Sequence, residues 1–319
     1  MRELLGLVES LPVDPQSWPR VGLVAADRAA VMGLHHQAYI YQGSNKHYDA
    51  YFDQSLNGLA DRWAKLTNDR HRKFVAAGSL VLSLFVPNKA TCIPQSFPQP
   101  LPEGGSPIWK RLKHLLKSDP GSLWSLESVD VSAPATLGTW LRTDSHWSQT
   151  GCLIAINEVL QKLALPLLEA LPATEYSKFS GDLASKWNGQ PLTEMRKDLF
   201  CPEVMSIIPE LEFDNYRSDP QHFGRHVRWV NHGAKFKVDV TVVGNSFAGP
   251  GTSSREITWW LARLFRSVTF LHMASIPTDV LEMTHCDVLI FQTIERFLYI
   301  VPDDNWTYAE IRQMADQTS

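Results

Sequence analysis

Hydrophobic positions along the chain fall into two periods that alternate. Ser79 to Val86 is a short, nearly continuous apolar run closed by Pro87-Asn88-Lys89, the pattern of a strand buried on both faces of a parallel sheet. Ahead of it, Tyr51 to Ala77 carries helical spacing. Residues 92 to 109 read as a proline-rich loop, and Ile108 to Leu116 as a short basic helix that Ser118-Asp119-Pro120-Gly121 ends. Leu153, Ile156, Val159, Leu160 and Leu163 recur at helical spacing, which places His146 just before a helix N-terminus. Lys235 to Val243 alternates at period two, breaks at Gly244, and leads into a helical pattern from Glu256 to Phe265. Further strands are predicted at Ser267 to Leu271 and Asp287 to Ile294.

Strands alternating with helices predict an α/β fold with a mainly parallel central sheet. Residues 172–233 break the rhythm: they are polar, weakly periodic and rich in Pro, Gly, Trp and Tyr. They read as an insertion over the edge or carboxyl-end rim of the sheet, where substrate contacts lie in such folds. No internal repeat or low-complexity linker is present, so residues 1–319 are expected to form a single domain.

Composition narrows the function classes. With 44% apolar and 20% charged residues over 319 positions, the chain can bury a full core. A net charge of -4 without a Lys/Arg run lacks the basic footprint of a nucleic-acid partner; an uncharged polymer or polyol fits better. The four cysteines are scattered without a CxxC pair, so they read as reduced core residues, Cys152 among them. No stretch approaches a transmembrane span and the N-terminus lacks the pattern of a signal peptide. The sequence as written is therefore expected to be cytoplasmic, and periplasmic or otherwise extracytoplasmic if a leader has been trimmed.

Two short cassettes carry the candidate chemistry. Arg142-Thr143-Asp144-Ser145-His146-Trp147 offers a carboxylate and an imidazole two residues apart, on one face of an extended segment. Gly244-Asn245-Ser246-Phe247 offers a hydroxyl where a strand ends and a turn begins, in a place like that of a nucleophile elbow but without its GxSxG spacing. Acyl transfer through serine needs these three groups: a nucleophile, a base that takes its proton, and an acid that fixes the base's tautomer. Separately, the cassettes are also what a capped helix and a tight turn look like. Asp and His are metal ligands too, but a third ligand is needed, and the other close pair, His222 and His226, has no accompanying Glu. No metal and no bound cofactor are expected.

Softer candidates surround the cassettes. Lys89 follows a strand at the rim where an α/β site forms, or is a solvated lysine; Arg296 holds a substrate group, or pairs with Glu295. Trp147, Trp187, Trp259 and Trp260 stack on sugar rings or fill the core.

Taken together, the cassettes resemble the alginate O-acetyltransferase family of the AlgJ and AlgX type, a branch of the SGNH hydrolase-like superfamily. Thr143-Asp144-Ser145-His146-Trp147 is similar to that family's T-D-[TS]-H-W, and Gly244-Asn245-Ser246-Phe247 to its G-[DTN]-S-[FY]. Val86-Pro87-Asn88-Lys89 is similar to its V-P-D-K, with Asn88 in place of the Asp, and Gly181-Asp182-Leu183 to its G-D-[LM]. The acid and base precede the nucleophile, as in this branch and unlike ordinary SGNH hydrolases. The resemblance implies an α/β/α sandwich, Ser246 as the acylated nucleophile, His146 as general base and then acid, and Asp144 as its orienter. It implies an O-acetyltransferase acting on a carbohydrate or polyol hydroxyl, an external acyl donor, and a membrane-bound O-acyltransferase as donor partner. An esterase using the same three residues, and a noncatalytic carbohydrate-binding or scaffold protein, are the alternatives.

Overall fold

A computed structural model describes residues 10–43, 47–127, 129, 138–187, 189, 191–215 and 223–317. Along the chain, strands β1 (Ser10–Pro12), β2 (Ala30–Met32) and β3 (Ala38–Ile40) precede helix α1 (Asn57–Ala76) and strand β4 (Leu80–Val86). Then come α2 (Lys89–Cys92), α3 (Pro107–Leu115), β5 (Ser122–Trp124), α4 (Gln149–Lys162), β6 (Leu171–Phe179) and β7 (Glu194–Phe200). The last third holds α5 (Pro202–Met205), β8 (Glu210–Asp214), β9 (His226–Val230), β10 (Phe236–Gly244), α6 (Ile257–Leu264) and β11 (Phe265–His272). It closes with α7 (Val280–Thr284), β12 (Val288–Ile294) and α8 (Tyr308–Gln317).

The chain divides into two compact units, each discontinuous in sequence: residues 1–60, 87–114 and 125–201 form one, and residues 61–86, 115–124 and 202–319 the other. The second unit holds a seven-stranded sheet in the order β5-β4-β12-β10-β11-β9-β8. β5, β4, β12, β10 and β11 run parallel, and β9 joins β11 antiparallel. The mixed α/β class with a mostly parallel sheet is the one the apolar runs predict. Every residue of β12 and all but the first of β4 are buried, so neither strand needs a polar face. β10, with partners on both sides, is buried from Val240 to Gly244, at its carboxyl end.

The first unit carries a three-stranded antiparallel sheet, β1-β7-β6, and the β2-β3 pair. Helix α4 supplies much of its core: Gln149 to Asn157, Val159 and Leu160 are all buried. Its first turn is capped by the Ser148 hydroxyl, which accepts from the Gly151 amide at 3.3 Å. Gly151 is required by close packing, since a Cβ there would lie 2.4 Å from the Thr139 carbonyl oxygen.

Strands β6, β7, β8 and β9 lie within or across the stretch read as weakly periodic. Their side chains explain the missing signal. β8 is exposed along most of its length, β7 and β9 are largely half-buried, and β6–β7 and β8–β9 both contain register shifts. A strand without one dry face has no reason to alternate at period two.

Candidate active site

Asp144 and His146 are brought together by a turn. The Asp144 Oδ1 atom accepts from the backbone N–H of His146 at 2.9 Å and lies 2.7 Å from its ring Nδ1. The expected mechanism was a shared face of an extended segment. Instead residues 142–146 bend, and the carboxylate folds forward onto its own chain two residues on, as Asp side chains do in Asx turns. The imidazole is thereby fixed with Nδ1 on the carboxylate. The Asp144 side chain is 6% exposed and that of His146 is 25% exposed, so the acid is dry and the base reaches the surface. Burial works to raise the Asp144 carboxyl, but the His146 ring and the hydrogen bonds it supplies outweigh burial and hold the group below the usual carboxylate range.

The segment carrying this pair is held from beneath by groups that sequence spacing does not reveal. Glu194, fully buried at the start of β7, accepts from the Arg142 amide (3.1 Å), the Thr143 amide (2.9 Å) and the Thr143 hydroxyl (2.7 Å). Lys89 is 5% exposed, and its ammonium donates to the carbonyls of Ala38 at 2.8 Å and of Leu141, with Arg142 and Asp144 carbonyls each at 3.2 Å. The structure thus places Lys89 in the interior, facing main chain. Burial lowers its ordinary value to about 7, against the opposing charges of Glu194, Asp144 and Asp182.

This placement sets a stability test. Lys89→Met leaves several buried carbonyls without a donor and should cost about 3 kcal/mol or more, each orphaned acceptor being worth roughly 1–3 kcal/mol. The pH dependence has a definite sign. Between about 7 and the ordinary lysine range near 10.5, the unfolded chain holds the Lys89 proton more tightly than the folded chain does, so the group makes stability rise with pH. Urea unfolding at pH 6.5 and 9.5 should therefore show the gap between wild type and Lys89→Met widening at the higher pH; a narrowing gap would contradict the buried ammonium.

The other cassette lies in the sheet-bearing unit. β10 ends at Gly244, and Ser246 follows as an exposed residue. Asn245 organises the turn: its carbonyl accepts from the Ala248 (3.0 Å) and Gly249 (3.1 Å) amides, and its side chain accepts from the Phe247 amide (3.0 Å). Helix α6 starts at Ile257, where the helical pattern from Glu256 placed it, and this turn precedes it. Neither Gly244 nor Ser246 has positive φ, so the turn is not a strained elbow. Glycine is needed at 244 for closeness: a Cβ there would meet Gln292 Oε1 at 2.8 Å, the same atom that accepts from the Asn245 amide at 3.1 Å. The Arg296 guanidinium lies 5.2 Å from the centre of the Phe247 ring, one residue from Ser246.

The remaining candidates fall in less reactive places. Trp147 and Trp260 are fully buried; Trp147 pairs in a bridge with Trp140. Trp259 stacks under Arg263, whose guanidinium carbon is 3.7 Å from the ring centre, and Trp187 is packed against the cluster of Trp18, Ala30 and Met32. Cys152 is buried. His222 lies outside the described residues. A third polar group does stand beside the acid–base pair: ligand atoms of Asp144, His146 and Asp182 all lie within 4.8 Å of one another. Here His146 Nδ1 sits on Asp144, and both Asp182 oxygens are engaged by Ser145.

A Ser–His–Asp contact occurs within the sheet-bearing unit and was not visible in the sequence. His71 Nε2 lies 3.0 Å from Ser83 Oγ, and its Nδ1 lies 3.1 Å from Asp119 Oδ1. Ser83 sits inside β4 with no exposed surface, so no carbonyl can reach it. Reactive geometry without access makes this a structural tie.

No protein-family model matches the chain, and no curated protein matches it. Solved structures do. PatB1 of Bacillus cereus aligns with a TM-score of 0.51 at 12% identity, over 77% of this chain and 93% of that one. The O-acetyltransferase domain of Pseudomonas putida AlgJ aligns with a TM-score of 0.50 at 15% identity, over 91% of this chain and 99% of that domain. The chain shares its fold with the AlgJ O-acetyltransferase domain. A PatB1 structure carrying a sulfonyl adduct aligns with a TM-score of 0.50 at 10% identity, over 86% of this chain and 97% of that one. The likeness drawn from the two cassettes is thus met at the level of fold. Among the described residues no helix is long and apolar enough to cross a membrane.

Proposed function

We propose that this protein is a serine-dependent O-acyltransferase that moves an acyl group, acetyl in the first instance, to a hydroxyl of a carbohydrate or similar polyol. The observation that carries the reading is the 2.7 Å contact of Asp144 with His146 Nδ1. It leaves Nε2 as the atom that exchanges a proton with the nucleophile. Ser246 is that nucleophile, presented on an exposed turn at the carboxyl end of a parallel strand, where ligands bind in open α/β sheets. The shared fold with an O-acetyltransferase domain supports the same class.

The steps follow from the groups named. Ser246 Oγ attacks the donor's acyl carbonyl as its proton passes to His146 Nε2; Asp144 holds the ring and the imidazolium that forms. The tetrahedral oxyanion is met by the Ser246 backbone N–H. Collapse expels the donor's alcohol or thiol, which takes the proton from His146 and leaves an ester on Ser246. The acceptor hydroxyl then gives its proton to His146 and attacks the ester; as the C–O bond to Ser246 breaks, His146 returns that proton to Ser246 Oγ. Arg296, beside Phe247, is the side chain proposed to hold a substrate group.

The test is an adduct. Incubation with p-nitrophenyl acetate, or with a sulfonyl fluoride, should add one acetyl or sulfonyl group to the peptide containing Ser246, read by mass spectrometry. A sugar acceptor should then clear the acetyl group faster than water does. An adduct that forms but is cleared by water alone, at a rate no acceptor changes, would make the protein an esterase. No adduct on Ser246 would leave the noncatalytic scaffold reading.

A further inference from the structure

Gly181-Asp182-Leu183 docks on the acid–base segment residue by residue. The Gly181 amide donates to the Thr143 hydroxyl at 2.9 Å, and the Leu183 amide to the Thr143 carbonyl at 3.0 Å. Between them Asp182 accepts from the Ser145 amide at 2.7 Å and the Ser145 hydroxyl at 2.5 Å. The approach is close enough to require glycine, because a Cβ on Gly181 would lie 2.5 Å from both the Asp144 Cβ and the Thr143 carbonyl oxygen. The oxygen that takes the Ser145 hydroxyl, Oδ2, also stands 3.7 Å from His146 Nδ1.

We propose that Asp182 is a second carboxylate of the acid–base pair: a positioning residue that clamps Ser145 between Asp144 and His146 and, with Asp144, steadies the positive charge on His146. This rests on the function proposed above only for its kinetic consequence, since its electrostatic part concerns the resting protein. The division of labour follows from the environments. Asp144 is dry and makes the short ring contact; Asp182 is 44% exposed and acts through charge and through the turn. Burial of its inner face and the nearby Asp144 charge raise the Asp182 carboxyl, the mark of two carboxylates drawn to one site. No proton passes to Asp182 in the reaction. Its role is to make the protonated ring cheaper to form.

A residue that merely caps the Ser145 turn would leave the titration of His146 unchanged, so that titration is the test. Among the described residues, the Asp144 and Asp182 carboxylates lie against the ring, and Lys89 and Glu194 bond to the main chain of the segment that carries it, beside Arg142. In the full-length Ser246→Ala protein, followed by NMR of the His146 ring protons, Asp182→Asn should lower the midpoint by about half a unit to one unit, the effect of removing one nearby negative charge from a half-solvated site. Asp182→Glu, which keeps the charge, should restore most of it. Ser145→Ala withdraws the hydroxyl that competes for Oδ2, so the midpoint should rise. This third variant keeps the Ser145 amide bond and serves if Asp182→Asn fails to fold. In the Ser246-containing enzyme, Asp182→Asn should reduce kcat about tenfold with KM little changed. A His146 midpoint that stays put in Asp182→Asn, or in Ser145→Ala, overturns the proposal whether or not Ser246 is the nucleophile. A shifted midpoint in a protein that forms no Ser246 adduct would uphold the second carboxylate and sink the acyltransferase.

Discussion

Ser246→Ala should lower ester turnover and acyl transfer by about 10³-fold or more, with the fold and the thermal midpoint unchanged. The size follows from what the side chain is asked to do. A nucleophile is not one contributor among several: without it the covalent route closes, and what remains is water attack assisted by residual binding and charge stabilisation, typically 10³–10⁴ over the uncatalysed rate. Ser246 is exposed on a turn held by Asn245, so removing its hydroxyl costs no core packing. Ser83→Ala is the matched control. It removes a hydroxyl that lies 3.0 Å from a histidine ring nitrogen, His71 Nε2, but one that lies wholly inside β4. Its effect should fall on stability and leave turnover within about twofold of wild type, surface access being the difference between the two serines. Equal loss of turnover in both variants would mean that activity tracks folding and that Ser246 has no chemical role.

How much of this was legible before the structure depends on what each residue answers to. The parallel strands were plain because β4 and β12 are buried along nearly their whole length, and continuous burial writes continuous apolar sequence. Strands β6 to β9 were not, because half-solvated faces impose no period. The Asp144–His146 pair was legible from its spacing of two, yet for a reason the structure replaces: the carboxylate reaches the ring through a turn that also takes the His146 amide. Lys89 read as a rim lysine because sequence cannot say which way a long side chain turns, and here it turns inward to main-chain carbonyls. Glu194 carried no signal at all. Its partners are two backbone amides and a hydroxyl fifty residues away, and hydrogen bonds to main chain leave no complementary residue to notice. Asp182 stood in a recognisable triplet, but only the fold assigns it a neighbour.

Asp144→Asn should lower kcat by about 10²-fold at neutral pH with a small change in KM, more than any variant of the groups behind it. The argument is one of charge. Asp144 Oδ1 accepts from both the His146 amide and the ring Nδ1–H, which leaves Nε2 with its lone pair outward. Because one oxygen faces both N–H groups, an asparagine that keeps its oxygen there still holds Nδ1–H, and what it removes is the negative charge. The imidazolium then becomes costlier to form. Asp182, 3.7 Å from Nδ1, keeps part of the electrostatic effect, so Asp144→Asn/Asp182→Asn should fall below either single variant. The carboxylate also links catalysis to acid stability: because its folded value is depressed, its stabilising contribution is complete above the ordinary carboxylate range and is lost as pH falls through that lowered value. Asp144→Asn should therefore be slow at neutral pH and less acid-sensitive in its unfolding than wild type. Measuring kcat at pH 7.5 beside urea midpoints at pH 3 and pH 7 separates the two effects. If kcat stays within tenfold of wild type while the NMR signal of the Nδ1 proton persists, the charge argument fails and Asp144 is a structural cap alone.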